Sequence, residues 1–137
     1  MATVLIIEDN IANMALAIFL LHSAGHTVLS ATDAESGLTL ARDQQPDLIL
    51  MDIQLPGMDG MEATRLLKAD AATRAIPVIA LTALAMKGDE ERIRAAGCDG
   101  YIAKPMRYLE FLKAIAAQLA PAPPSASVMR PVGDGSP

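Results

Sequence analysis

The chain has 137 residues, 52% of them hydrophobic, which is enough for one domain with its own core, and its single cysteine, Cys98, leaves no internal disulfide to stabilise it. A net charge of −5 argues against nucleic acid as a partner, because affinity for a phosphate backbone rests on a basic patch. The longest apolar run, Met14 to Leu21, falls well short of the roughly 18 residues a membrane span needs, and Met1-Ala2-Thr3 opens no secretory signal, so the protein is expected in the cytoplasm and off the membrane.

In chain order, Val4 to Ile7 reads as a first strand. Asn10 then caps a helix whose Ile11, Met14, Ala15, Ile18 and Leu21 share one face, and Gly25 sits where its end needs a left-handed residue. Thr27 to Ser30 is a second strand, and Asp33 caps a helix with Ala34, Leu38 and Ala41 on its inner stripe. Leu48 to Met51 and Val78 to Leu81 are the third and fourth strands. The helix from Lys87 to Ala96 has little besides Ile93 and Ala96 to bury, leans on the pair Glu90 and Arg94, and ends at Gly97, so it should be the least anchored helix. Tyr101 to Ala103 is a fifth strand, followed by a helix with Leu109, Leu112, Ala116 and Leu119 on one face. Strands alternating with amphipathic helices predict an α/β fold, a parallel sheet with helices on both faces. The domain should span residues 1–120, and the Pro/Ser/Gly-rich stretch 121–137 is too poor in large apolar residues to repay ordering.

The residues that follow the strands carry the chemistry. Glu8-Asp9 come after the first, Asp52 after the third, Thr82 after the fourth and Lys104-Pro105 after the fifth. In a parallel sheet these ends share one edge, where ligand crevices of open α/β sheets lie. Two carboxylates about 4 Å apart repel by about 4 kcal/mol at an effective dielectric near 20, so three of them demand protons or a hard cation. Mg²⁺, with Mn²⁺ an acceptable substitute, takes one or two carboxylates plus phosphate oxygens and water. Lys104 offers a charge and Thr82 a hydroxyl to a phosphoryl group. Cys98, His22 and His26 belong to no such cluster and read as structural residues.

Four stretches together, Ile7-Glu8-Asp9-Asn10, Leu50 to Gly60 around Asp52, Ala80-Leu81-Thr82-Ala83, and Ala96 to Pro105, closely resemble the CheY-like response-regulator receiver domains, and most of all their DivK-like single-domain members. The resemblance covers residues 3 to about 119. It implies a flavodoxin-like, five-stranded parallel sheet in the order 2-1-3-4-5, with Asp52 as phosphoacceptor. By the same resemblance Asp9 is a direct Mg²⁺ ligand, Glu8 a ligand mainly through water, and Gln54 a ligand through its backbone carbonyl, while Thr82 and Lys104 bind the phosphoryl oxygens. Glu8 stands where many members have aspartate. Tyr101 is implied to turn inward with Thr82 on switching, and Lys104-Pro105 to be a cis peptide.

The implied function is that of a response regulator in a two-component system or phosphorelay. A histidine kinase or histidine phosphotransfer protein would donate to Asp52, and the face from the helix at Lys87 through Tyr101 to the last helix would meet a downstream protein. Gln54 and Leu84 stand two residues beyond Asp52 and Thr82, positions that help set the phosphoryl lifetime in this family, and apolar Leu84, which cannot orient a water, implies a persistent phosphoryl group. Gln54 also removes the general acid that haloacid-dehalogenase-type phosphatases carry at that offset, so no enzyme activity is expected beyond self-catalysed phosphorylation and dephosphorylation. A flavin module would need a Ser/Thr-rich phosphate loop where Glu8-Asp9 stand. A phosphorylation-independent adaptor, or a receiver cut from a hybrid histidine kinase, are the competing readings. Met1 and the tail favour a stand-alone chain whose output is a protein contact or onward phosphoryl transfer.

Overall fold

The computed structural model describes residues 2–83 and 87–119. Five strands alternate with five helices: β1 Thr3–Ile7, α1 Ile11–Ser23, β2 Thr27–Ala31, α2 Ala34–Gln44, β3 Leu48–Asp52, α3 Gly60–Ala69, β4 Val78–Thr82, α4 Lys87–Ala95, β5 Gly100–Ala103 and α5 Tyr108–Leu119. All strand pairs are parallel, in the order β2-β1-β3-β4-β5.

Alternation along the strands divides the core into two layers. Leu5, Ile7, Ile49, Met51, Val78 and Ala80 point to one face and meet Ala34 and Ala41 of α2, Ala63 and Leu67 of α3 and Ile93 of α4. Val4, Ile6, Leu48, Leu50, Ile79 and Leu81 point to the other, against Ala17, Leu20 and Leu21 of α1 and Phe111 and Ile115 of α5. Both β3 and β4 are buried along their whole length, as continuous apolar runs in a doubly covered sheet should be.

Helix ends follow local chemistry. Asn10 accepts from the Asn13 N–H and Asp33 from the Ser36 N–H, and Gly25 and Gly97 take φ of 89° and 109°, values that glycine adopts without strain. Two further signals lie outside the sequence reading. Gln45 closes α2 in the left-handed region at φ 48°, and Asp59 caps α3 by accepting from the Glu62 N–H. Helix α3 buries Ala63, Thr64 and Leu67.

Two predicted helix faces need correction. In α1, Ile11 is 87% exposed and Ala15 is exposed, while Ala17, Leu20 and Leu21 fill the core. In α5, Leu109 is 69% exposed and Ala116 exposed, and Phe111 and Ile115 are buried in their place. Both helices carry apolar residues around most of their circumference, so periodicity sets their pitch and leaves their rotation undetermined. In α4, Ile93 is buried with Ala96 just beyond the helix, as expected, and Arg94 pairs with Glu90 at 3.4 Å. Leu84 and the stretch 121–137 lie outside the described residues.

Candidate phosphoryl site

The sheet register levels the reactive positions. Ile7 pairs with Met51, Asp52 with Leu81 and Thr82 with Ala103, so the residues next in line emerge at one edge. Parallel-ladder bonding continues past the strands into the site: Glu8 N–H donates to Ala31 O (3.0 Å), Ile53 N–H to Leu81 O (3.0 Å) and Lys104 N–H to Thr82 O (2.8 Å).

Asp52, the last residue of β3, is 2% exposed and Glu8 is fully buried, whereas Asp9 is exposed. One carboxylate oxygen from each of the three lies within 4.8 Å of the others. Lys104 Nζ stands 3.0 Å from Glu8 Oε1 and 3.1 Å from Asp52 Oδ1. The Asn10 N–H donates to Glu8 Oε2 (3.1 Å), and the Gln54 N–H to Asp52 Oδ1 (3.0 Å). The contact between Lys104 and Glu8 Oε1 is an ion pair by distance without hydrogen-bond alignment, so that buried oxygen has no hydrogen bond of its own. Lys104 answers that oxygen by charge, and a hydrogen-bond donor or a metal ion could still take up its free lone pair.

Electrostatics divide the two buried acids. Burial, followed by the hydrogen bond shared with Asp52, pushes the Glu8 carboxyl above the usual range against the pull of Asn10 and Lys104. Burial pushes Asp52 upward too, but the shared hydrogen bond from Glu8, the Gln54 N–H and Lys104 outweigh it and hold Asp52 below the usual range. Burial alone would weaken the Lys104 ammonium, and the two carboxylates reverse this and raise its pKa. The pair is thus polarised, with the proton favoured on Glu8 and the anion on Asp52.

An open cleft of about 630 Å³ lies over these groups, with Asp9, Asn10, Ile11, Gln54 and Ala83 on its rim. Thr82 is buried at the end of β4, one residue before Ala83. The Lys104-Pro105 peptide is cis. Tyr101 points away from the cleft: its ring is 40% exposed and its hydroxyl donates to Glu90 Oε1 of α4 at 3.1 Å. The structure thus brings Glu8, Asp9, Asp52, Gln54 and Lys104 together, with Thr82 at their side and Tyr101 outside. Cys98 is buried against Thr64, and the His26 ring accepts from the Ala2 N–H, both away from the cleft. Asn10, a helix cap at the end of the first motif, and Ile11, which the sequence favours as core over a contact at the pocket mouth, both line the cleft.

The chemistry of this cleft agrees with what the chain is similar to. The family model for the response regulator receiver domain matches residues 4–116. The polar-differentiation response regulator DivK of Brucella anthropi is 50% identical over 117 residues, 85% of this chain and 95% of that protein, and DivK of Brucella ovis matches equally. Among solved structures, the receiver domain of the Pseudomonas aeruginosa sensor histidine kinase PA1611 is 36% identical with a TM-score of 0.80, over 86% of this chain and 97% of that one, and has a magnesium ion coordinated in its active-site cleft. The Vibrio cholerae chemotaxis protein CheY4 has a TM-score of 0.82 at 27% identity, over 87% of this chain and 99% of its own.

Proposed function

The chain belongs to the response regulator receiver domain family, and from that premise we propose that it takes a phosphoryl group from a phosphohistidine onto Asp52. The observation that carries the reading is the buried Asp52 carboxylate at the floor of an open cleft, with Lys104 Nζ 3.1 Å from its Oδ1. A buried carboxylate kept anionic and accessible is a nucleophile, and a fixed ammonium beside it is where a phosphoryl oxygen would settle. In the transfer the Asp52 oxygen bonds to phosphorus as the P–N bond to the donor imidazole breaks. Lys104 and the Thr82 hydroxyl then hold the phosphoryl oxygens, and a histidine kinase or histidine phosphotransfer protein supplies the donor.

Asp9, Glu8, Asp52 and the Gln54 backbone carbonyl would hold Mg²⁺, or Mn²⁺ in its place. Three acids within 4.8 Å and the buried Glu8 oxygen without a hydrogen bond fit such an ion. When bound, it supplies positive charge to the transferring group. Phosphorylation and dephosphorylation are self-catalysed at most. Apolar Leu84 cannot orient an attacking water and so makes the acyl phosphate long-lived, and Leu84→Glu should shorten its lifetime. We place the protein in the cytoplasm, with the surface from α4 through Tyr101 to the exposed Tyr108 and Leu109 of α5 as its output face.

The direct test is incubation with acetyl phosphate and Mg²⁺ followed by intact mass spectrometry. The wild type should gain one phosphoryl group and Asp52→Asn none; a wild type that stays unmodified, also with a histidine-phosphorylated donor, would refute the reading.

A further inference from the structure

The outward position of Tyr101 has a specific chemical cause. Its hydroxyl donates to Glu90 Oε1 at 3.1 Å, and Arg94 Nε meets Glu90 Oε2 at 3.4 Å, one helical turn further along α4. Glu90 thus stands between a phenol on β5 and a guanidinium on its own helix, using one oxygen for each. The hydrogen bond to the carboxylate, and then its negative charge, raise the Tyr101 pKa, while Arg94 opposes that rise. Strand β5 is a sheet edge, and Tyr101 is exposed on it. Among the described residues, the Glu90 carboxylate is the polar group that holds the hydroxyl outward.

We infer that Glu90 is a latch: its carboxylate, steadied by Arg94, stabilises the outward Tyr101 and so sets how much phosphorylation must supply to turn the ring inward. This rests on the reading of Asp52 as phosphoacceptor and Tyr101 as its switch. Glu90 touches no reacting atom and acts through Tyr101 as a positioning residue. An exposed hydrogen bond to a carboxylate biases a two-state equilibrium modestly, so its loss should shift the balance by about two- to fivefold. The bias has a direction: weakening the latch favours the inward ring, and any ligand that prefers the inward ring then binds more tightly.

Trifluoroberyllate with Mg²⁺ serves as a stable tetrahedral stand-in for the acyl phosphate. The experiment uses the full chain in a Tyr108→Phe background, where Tyr101 is the remaining tyrosine. Two quantities are read: the Tyr101 phenol pKa by ultraviolet absorbance, and the apparent affinity for trifluoroberyllate from amide chemical shifts around Asp52. Glu90→Gln, nearly isosteric and safe for folding, should lower the phenol pKa toward its ordinary value and tighten trifluoroberyllate binding by about two- to fivefold. Arg94→Gln leaves the latch carboxylate in place and removes the opposing charge, so the phenol pKa should rise and trifluoroberyllate should bind no more tightly. An unchanged phenol pKa in Glu90→Gln overturns the hydrogen bond, and a lowered pKa with unchanged affinity overturns the latch while sparing the phosphoacceptor reading. If the parent protein binds no trifluoroberyllate at Asp52, that reading fails and the latch falls with it.

Discussion

Gly60 lies against the backbone of Asp52 so closely that a β-carbon at position 60 would overlap the Asp52 carbonyl oxygen and stand 2.8 Å from Ile53 Cα. The Gly60 N–H also donates to Ile53 O at 3.1 Å, which fastens the start of α3 to the end of β3. The obstacle is backbone and cannot swing aside. Gly60→Ala should therefore lose about 1–3 kcal/mol in urea denaturation and lower the rate at which acetyl phosphate modifies Asp52. Gly88→Ala is the control: a β-carbon there meets nothing within 4 Å, and alanine in α4 should leave stability equal or raised. Equal stability in the two variants would remove the steric argument.

Acidity in the cleft should show in a metal-free stability profile. Glu8 has its folded pKa raised above the unfolded value, so its contribution to stability is fully present below the unfolded value and is lost as pH rises through the folded one. Asp52 has the opposite sign: its folded pKa is depressed, so its contribution is present above the unfolded value and lost as pH falls through the folded one. Neutral pH is thus where Glu8 is a burden and Asp52 is not. Without divalent metal, Glu8→Gln should raise Tm at pH 7 relative to wild type, and the gain should shrink on acidification through the carboxylate range. A gain that is flat with pH would mean that the buried charge is not its source.

Adding Mg²⁺ should relieve the same burden. A ligand that binds the folded state alone stabilises by RT ln(1 + [L]/Kd), about 2.7 kcal/mol at a hundredfold excess over Kd. The wild-type Tm should climb with Mg²⁺, and Asp9→Asn should climb much less, because Asp9 is the exposed acid of the cluster. Scanning calorimetry across a magnesium series checks this, and equal slopes for the two proteins would exclude Asp9 as a ligand.

Ile11 and Phe111 should behave as opposites. Ile11 is 87% exposed on the cleft rim and Phe111 is fully buried against the sheet. Ile11→Ala should change unfolding free energy by no more than about 0.5 kcal/mol, and Phe111→Ala should cost about 3–5 kcal/mol. If a donor protein leans on the rim, Ile11→Ala slows phosphorylation by a histidine-phosphorylated protein and leaves phosphorylation by acetyl phosphate unchanged. Stopped-flow and mass measurements on the two donors separate these effects, and equal slowing with both would place Ile11 in the chemistry.

The level edge and the gathering of Glu8, Asp9, Asp52 and Lys104 were legible in the sequence because each rests on a short run with a fixed place in the chain, whereas the strand order came only through the family resemblance those runs carry. The strands themselves run one residue further than their apolar runs, at Thr3, Ala31, Asp52, Thr82 and Gly100, since polar and small residues continue the ladder where a neighbour offers a partner. What could not be read was rotation. Ile11 and Leu109 are apolar and sit in periodic stripes, yet both face outward, because α1 and α5 each carry more apolar residues than one neighbouring layer can cover. The close approach of Gly60 was hidden for another reason: glycine in a turn motif signals only freedom of backbone, and contact with Asp52 depends on how α3 returns to the sheet. The partnership of Tyr101 with Glu90 joins residues eleven apart on a strand and a helix, a distance that no local pattern spans.

The ladder that runs past the strand ends into Glu8, Ile53 and Lys104 has a consequence for how a signal is kept. Asp52 is the last residue of a strand buried on both faces, the kind of element that opens only when the whole domain opens. Amide exchange at Asp52 and Ile53 should accordingly be among the slowest in the protein, and that at the exposed Ile11 much faster. A phosphoryl group carried there would not be lost through breathing of the structure. It would be lost by water reaching a bond, so its duration would be set chemically and only its readout mechanically.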